Sequence, residues 1–231
     1  MSKKIEHTEG NLGAIEHSLS SAELFIEKYE RQLIYGGVGI LLLVGVFFAY
    51  KNWYQAPREE AAQSQLFTAV QYFEQDSLNL ALNGDGSNLG LIDVEDQYGS
   101  TTAGNLAAYY AGLAYLHTGQ YDEAIRYFNK YSASNSLAKA LVNGNLGDAY
   151  SELGSYDKAV AHYKKSADSD DNKLTAPRCL LKAGILLEKQ GKFGKAKEQY
   201  ERLKRDYSDT AEGREADKYI ARAQVGIEQN S

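Results

Sequence analysis

Two acidic segments of the sequence contain the residue types that bind calcium. Residues 83–94 and 168–179 each begin with a mixture of Asp, Asn and Ser, whose oxygens are suitable ligands. A calcium loop also needs a glycine at its sixth position and a bidentate glutamate at its twelfth. Both segments lack that glycine, and their twelfth residues are Val94 and Cys179. We therefore interpret both as solvated loops and expect no metal site.

Catalytic residues do not form a recognisable set either. The histidines His7, His17, His117 and His162 are dispersed, and no HExxH, CxxC or GxSxG motif occurs. Cys179, the single cysteine, lies where a small buried apolar residue is expected. The net charge of −6 and the absence of a basic stripe argue against a nucleic-acid partner. The sequence predicts no enzyme activity and no cofactor.

A pattern of small and aromatic residues occurs three times in the second half of the chain, with identical offsets and with starts 35 and 37 residues apart. This is the spacing of the tetratricopeptide repeat, a helix–turn–helix unit of about 34 residues. Its small residues allow two helices to approach closely, and its second glycine suits a turn with positive φ. The sequence therefore predicts an all-α protein with a solenoid of helical hairpins. The copies are Gly112, Tyr115, Gly119, Tyr121, Ala124 and Phe128; Gly147, Tyr150, Gly154, Tyr156, Ala159 and Tyr163; and Gly184, Leu187, Gly191, Phe193, Ala196 and Tyr200.

An uncharged segment precedes the repeats. Residues 33–50 contain no charge, and as a helix they would be about 27 Å long, close to the hydrocarbon thickness of a bilayer. A cleaved signal peptide fits poorly because a long tail of mixed charge precedes the segment and no small-residue cleavage site follows it. A buried core helix is the other alternative, but this segment offers water no polar face. We expect a single transmembrane helix, interrupted or restarted at Pro57.

The basic residues beside this helix set its expected orientation. By the positive-inside rule, the side with more Lys and Arg stays in the cytoplasm. The tail is therefore expected to be cytoplasmic and the repeats periplasmic, in the inner membrane of a bacterium. Four basic residues precede the helix and two follow it: Lys3, Lys4, Lys28 and Arg31, then Lys51 and Arg58.

These features divide the chain into five predicted segments. The segment after the membrane helix is expected to be a degenerate hairpin in which a helix over 58–80 pairs with a helix over 89–98. The last segment is expected to form a capping helix with one charged face. The segments are a tail with a pre-membrane helix (1–32), the transmembrane helix (33–54), the degenerate hairpin (55–104), three repeats (105–208), and the capping helix with its tail (209–231).

Partner binding is expected on the first helices of the hairpins, which line the groove of such a solenoid. The alternative, that these residues are a solvated helix face, stays open. Within the membrane helix, Gly45 and Ala49 form a small-xxx-small pair that could seat a partner helix. The groove candidates are Tyr109, Leu113, His117, Asp148, Ser151, Glu152, Arg178, Ile185 and Glu188.

The whole chain resembles the YfgM-like family of membrane-anchored tetratricopeptide-repeat proteins. Its sequence is most similar to members from Bacteroides-like and Flavobacterium-like bacteria. The segments that carry the resemblance are residues 80–85, 104–112 and 218–222, with the sequences LALNGD, GNLAAYYAG and KYIAR. The resemblance implies an ancillary, non-catalytic subunit of the Sec translocon. It implies association with the channel through the anchor, and cooperation with a membrane-anchored parvulin-type prolyl isomerase on unfolded client segments. The rival interpretation is a repeat scaffold for another cell-envelope assembly.

The expected orientation can be tested by proteolysis. Protease added to spheroplasts should digest the chain beyond about residue 55 and spare the tail, because the positive-inside rule retains the more basic flank in the cytoplasm. Immunoblots against tags at the two ends measure this. A repeat domain that resists protease until the membrane is permeabilised would reverse the orientation.

Overall fold

The computed structural model describes residues 28–169 and 173–230, and these residues contain helices and no strand, which confirms the all-α prediction. Most of the predicted tail, residues 1–27, lies outside the described residues. The chain forms two compact units, Met1–Pro57 and Arg58–Ser231. In chain order the helices are α1 (Lys28–Glu74), α2 (Leu78–Asn83), α3 (Leu91–Tyr98), α4 (Thr102–His117), α5 (Tyr121–Lys130), α6 (Ser136–Glu152), α7 (Tyr156–Ser169), α8 (Ala176–Lys189), α9 (Phe193–Tyr207), α10 (Ala211–Arg214) and α11 (Ala216–Gln229).

Helix α1 carries the apolar segment. Among the described residues it is the one helix long and apolar enough to cross a membrane. Its large hydrophobic side chains from Leu33 to Phe48 are exposed, with Leu41 at 71%. Ala49 is also exposed, and no neighbouring atom lies within 4 Å of a Cβ built on Gly45. The predicted packing pair therefore lies on accessible helix surface.

The sequence predicts that the helix is interrupted or restarted at Pro57, and regular α-helix does restart beside it, at Ala56. A π-helical turn at Tyr50–Gln55 precedes the proline, and the N–H of Ala56 donates to the carbonyl of Lys51, five residues back. Proline has no N–H, and its ring crowds the carbonyl four residues before it. The wider turn accommodates that ring, so the helix continues through Pro57 to Glu74.

In each predicted repeat the first glycine lies against the last aromatic ring of the motif. A Cβ built on the glycine would lie 2.6, 2.5 and 2.2 Å from the nearest ring carbon in the three copies, distances that real atoms do not adopt. The repeat alanines Ala124, Ala159 and Ala196 are fully buried at 0% exposure. The ring therefore occupies the space that a side chain on the first helix would need. The contacts pair Gly112 with Phe128, Gly147 with Tyr163, and Gly184 with Tyr200.

The turns inside the repeats share one geometry. The second glycines, Gly119, Gly154 and Gly191, have φ of +75°, +71° and +72°. The N–H of the residue after the glycine donates to the carbonyl five residues back in each case, for example from Ser155 to Tyr150 at 2.9 Å. This is the Schellman arrangement, which satisfies carbonyls at a helix end.

The same turn ends α1. Asp76 has φ of +57°, and the N–H of Ser77 donates to the carbonyl of Tyr72 at 2.9 Å. The helix expected over 58–80 therefore ends at Glu74, and the short helix α2 follows directly. If Asp76 takes the place of the second glycine of a repeat, Ala69 takes the place of the first glycine and Ala81 the place of the repeat alanine. Both alanines are fully buried.

Helix α11 closes the other end of the second unit. Its Gly226 lies against the ring of Phe193 in α9, 2.3 Å from a built Cβ to the nearest ring carbon. Ala216 and Ala223 are fully buried, whereas the charged residues Asp217, Lys218 and Glu228 are exposed. The last hairpin is thus covered by a helix whose outer face is charged, as a solenoid terminus requires.

The ring contact predicts opposite effects of one substitution at two helical glycines. Gly147→Ala should destabilise the protein by about 1–3 kcal/mol through overpacking against Tyr163. Gly194→Ala, where a Cβ meets nothing within 4 Å, should stabilise it by about 0.5–1 kcal/mol because alanine favours helix. Thermal unfolding of the full chain in detergent measures both. Shifts of the same sign would contradict the packing described here.

Candidate functional site

Two neighbouring clefts lie along the first helices of the repeats. The larger has a volume of about 510 Å³ and the smaller about 170 Å³. Both are lined by Asp148 of α6 and Lys182 of α8. These two residues therefore form a shared border, and we call the two neighbouring clefts together the groove.

That ion pair joins consecutive repeats. The Lys182 ammonium donates to both carboxylate oxygens of Asp148, at 2.6 and 2.9 Å. The hydroxyl of Tyr163 donates to the same carboxylate at 2.6 Å. Burial, reinforced by the carboxylate, raises the pKa of Tyr163 above its ordinary value of 10.0, so the hydroxyl stays protonated. The Asp148 carboxylate thus accepts hydrogen bonds from two residues, Tyr163 of α7 and Lys182 of α8.

The larger cleft contains most of the predicted groove residues. His117, Ser151, Glu152 and Ile185 line it together with Asp148. His117 and Glu152 are exposed, as is Ile185 at 41%. This part of the groove therefore mixes polar and apolar groups, and the carboxylate of Glu152 remains accessible.

The smaller cleft is more apolar and has Arg178 at its edge. The Cys179 thiol lines it and lies 3.2 Å from the hydroxyl of Ser166, which donates to the carbonyl of Ala140 at 2.6 Å. Burial raises the pKa of the Cys179 thiol, which disfavours the reactive thiolate. This cysteine is a packing residue, as its sequence position indicates.

Three predicted groove residues are not brought into these clefts. The ring of Tyr109 lies 5.3 Å from that of Tyr131, and its hydroxyl accepts a hydrogen bond from Asn145 at 3.3 Å. Leu113 is partly buried against the core. Glu188 forms a 2.5 Å ion pair with Arg222 of α11. These side chains stabilise packing within and between hairpins.

Lys182 is a groove residue that sequence reasoning missed. A signal was present, because Arg178, Lys182 and Ile185 follow the i, i+4, i+7 spacing of one helix face. Lys182 lies on the same helix face as the two predicted residues Arg178 and Ile185. The pairing with Asp148 could not be read from the sequence, since it depends on how two repeats stack.

In the acidic segment 83–94, the carboxylate oxygens of Asp85 accept hydrogen bonds from the protein itself. The Asp85 carboxylate accepts from the N–H groups of Ser87 and Asn88 at 2.8 and 2.7 Å, and from the Tyr72 hydroxyl at 2.7 Å. These hydrogen bonds, led by the one from Tyr72, lower the pKa of Asp85. Protein donors thus occupy this carboxylate. Residues 170–172 of the other segment lie outside the described residues.

Comparison with known proteins agrees with this fold. Residues 105–170 and 136–207 match the family model described as tetratricopeptide repeat. A crystal structure of nearly identical TPR-like repeats assigned to a kinesin light chain of Podosopora anserina superposes with a TM-score of 0.55 at 16% identity, covering 72% of this chain and 86% of that one. A point variant of the same protein gives 0.54 at the same identity and coverage. No curated protein matches the sequence.

The matches establish the class of the repeat region. Residues 105–207 form tetratricopeptide repeats, and such solenoids are scaffolds for protein–protein interaction. The predicted fold class is thereby confirmed: the part of the chain that the structure describes is helical without strands, with one long apolar helix and a TPR-like solenoid. At this identity, the similarity to the Podosopora structures concerns the fold alone.

The hydroxyl at the centre of the groove gives a stability prediction. Tyr163→Phe should cost about 0.5–1.5 kcal/mol, the net value of one hydrogen bond. Because the folded-state pKa of Tyr163 is raised, its contribution to the free energy of unfolding is present below pH 10 and decreases as the pH rises further. The stability of the Tyr163→Phe variant should therefore decrease less above pH 10 than that of the unmodified chain. Tyr156→Phe is the control, since Tyr156 is only partly buried. Equal unfolding midpoints for both variants across pH 7–11 would contradict this role.

Proposed function

We propose that this chain is a membrane-anchored interaction protein that works beside the Sec protein-export channel. Its groove would hold an extended segment of a periplasmic partner, and α1 would hold the protein in the inner membrane. The observation that carries the binding proposal is the groove formed by the two neighbouring clefts that share the Asp148–Lys182 pair. The tetratricopeptide fold of residues 105–207 supports the same kind of activity.

The composition of the groove favours a peptide over a small molecule. Its larger part has a volume within the usual range for ligand sites, but it is open and mixes exposed charge with apolar side chains. Glu152 and Arg178 lie in different clefts, so an extended chain could contact both charges. Side chains of a bound segment would fill the apolar space on each side of the ion pair.

The connection with export rests on the family resemblance and on the anchor. The YfgM-like resemblance supports association with translocon channel subunits through α1. It also supports cooperation of the repeat domain with a membrane-anchored parvulin-type prolyl isomerase and with unfolded client segments. The exposed apolar surface from Leu33 to Phe48, with the small residues Gly45 and Ala49, would supply the contact with lipid and channel helices.

A general scaffold for another envelope assembly is the second candidate. The family match and the solved structures favour it equally, because both concern tetratricopeptide repeats without naming a translocon. The two candidates differ in the partner that the anchor selects. A test must therefore separate anchor contacts from groove contacts.

The anchor arm of the test replaces residues 33–50 with an unrelated transmembrane helix. Co-purification of channel subunits from mild detergent should fall, because packing between membrane helices depends on specific small residues such as Gly45 and Ala49. Expression and membrane insertion of the chimera serve as controls. If the chimera still retains the channel fully, or if neither it nor the unmodified chain captures any export component, the scaffold function replaces the export function.

The groove arm uses the charge-exchange variant Glu152→Lys with Arg178→Glu. Both residues are exposed, and the exchange leaves the net charge of the chain unchanged. Binding of the prolyl isomerase should weaken by about tenfold, most strongly at low salt, while channel association through α1 persists. The matched control is Lys139→Glu with Glu228→Lys, outside both clefts. Equal losses in the two variants would remove the groove from the proposal.

A further inference from the structure

A third cleft lies between the second helices of two repeats. It is formed mainly by α7 and α9 and has a volume of about 490 Å³. We call it the lysine cleft. The residues that matter for its chemistry are Lys164, Lys165, Lys192, Lys195, Glu198 and Gln199.

The cleft has more positive than negative charge, although the chain as a whole is acidic. Two of its carboxylates are neutralised by ion pairs at 2.6 and 2.5 Å, between Asp157 and Lys192 and between Asp168 and Arg202. Lys164, Lys165 and Lys195 are exposed and form no ion pair within residues 28–169 and 173–230. The exposed carboxylate of Glu198 offsets one of these three positive charges.

A buried amide lines the same cleft. Gln199 is only 6% exposed, and its Oε1 has no hydrogen-bond partner among the described residues. A buried acceptor without a donor destabilises the protein, so native structures nearly always supply a donor. Oε1 itself is buried, so a hydrogen-bond donor of a ligand in the lysine cleft would satisfy it once the amide turns toward the cleft.

We propose that the lysine cleft binds an acidic, extended peptide segment of a partner protein. Carboxylates of the segment would pair with Lys164, Lys165 and Lys195, and a backbone N–H would donate to Oε1 of Gln199. A peptide suits both requirements because its side chains supply the charge and its backbone supplies the donor. This surface lies on the second helices of the repeats, so it is separate from the groove of the proposed function.

The depth of the amide favours a peptide over an anionic membrane. Lysines on an exposed helix face could contact lipid headgroups, but Gln199, at 6% exposure, lies below that surface. A peptide chain can enter a cleft between two helices, whereas a bilayer presents a broad surface. The response of the Gln199 side chain therefore separates the two ligands.

The test uses the full chain in a neutral detergent and a fluorescein-labelled peptide of alternating glutamate and serine, with anisotropy as the readout. Lys164→Glu with Lys195→Glu should weaken binding by about tenfold or more at low salt. Gln199→Leu, which leaves the charge unchanged, should weaken binding by about threefold to tenfold, the effect of one hydrogen bond. Gln199→Met is used if the leucine variant does not fold.

Matched controls decide whether the effect belongs to this cleft. Lys139→Glu with Lys218→Glu makes the same change in net charge outside the lysine cleft and should leave the dissociation constant within about twofold. A peptide with glutamine in place of glutamate should bind weakly. An equal loss in this control pair would mean that only overall charge matters, which overturns the proposal.

Two further outcomes would also overturn it. One is absence of measurable peptide binding to the unmodified chain. The other is binding to vesicles of phosphatidylglycerol that needs Lys164 and Lys195 but does not change in Gln199→Leu, which would assign the cleft to a membrane surface. The groove variant Glu152→Lys with Arg178→Glu should bind the acidic peptide normally, so this proposal and the proposed function can fail separately.

Discussion

The close approach of an aromatic ring to a glycine is the contact on which the repeat region depends. In each repeat the ring lies over the backbone of the first helix, in the space where a side chain would begin. This contact fixes where the two helices cross, and the fully buried alanines lie beside it. Because dense packing tolerates little change in volume, the crossing position also sets which face of each first helix is left for binding.

Ion pairs between repeats follow from that regular crossing. A carboxylate in one hairpin meets a cation 34 or 35 residues later, as in Asp148 with Lys182 and Asp157 with Lys192. Glu188 with Arg222 continues the series at 34 residues. Exposed pairs contribute little to stability. Their regular spacing is therefore a consequence of the regular stacking, and the pairs neutralise carboxylates that would otherwise be free.

The sequence predicted the parts of the structure that depend on local spacing. Glycine, alanine and aromatic offsets located the three hairpins, and an uncharged run located the long apolar helix. The end of α1 was mispredicted because Asp76, a non-glycine residue, adopts a left-handed conformation there. The interruption or restart expected at Pro57 takes the form of a π-helical turn before the proline, after which α-helix begins again at Ala56. The Asp148–Lys182 pair and the buried amide of Gln199 depend on stacking between repeats, which residue spacing does not specify.

The contact between Gly226 and Phe193 gives the solenoid a defined length. A helical stack with an open last hairpin offers an apolar surface on which another chain's hairpin can continue the stack, so such proteins can polymerise end to end. Here α11 occupies that position with its own glycine and presents a charged outer face to solvent. Within the described residues, the apolar end of the last hairpin is thereby covered by a helix of the same chain.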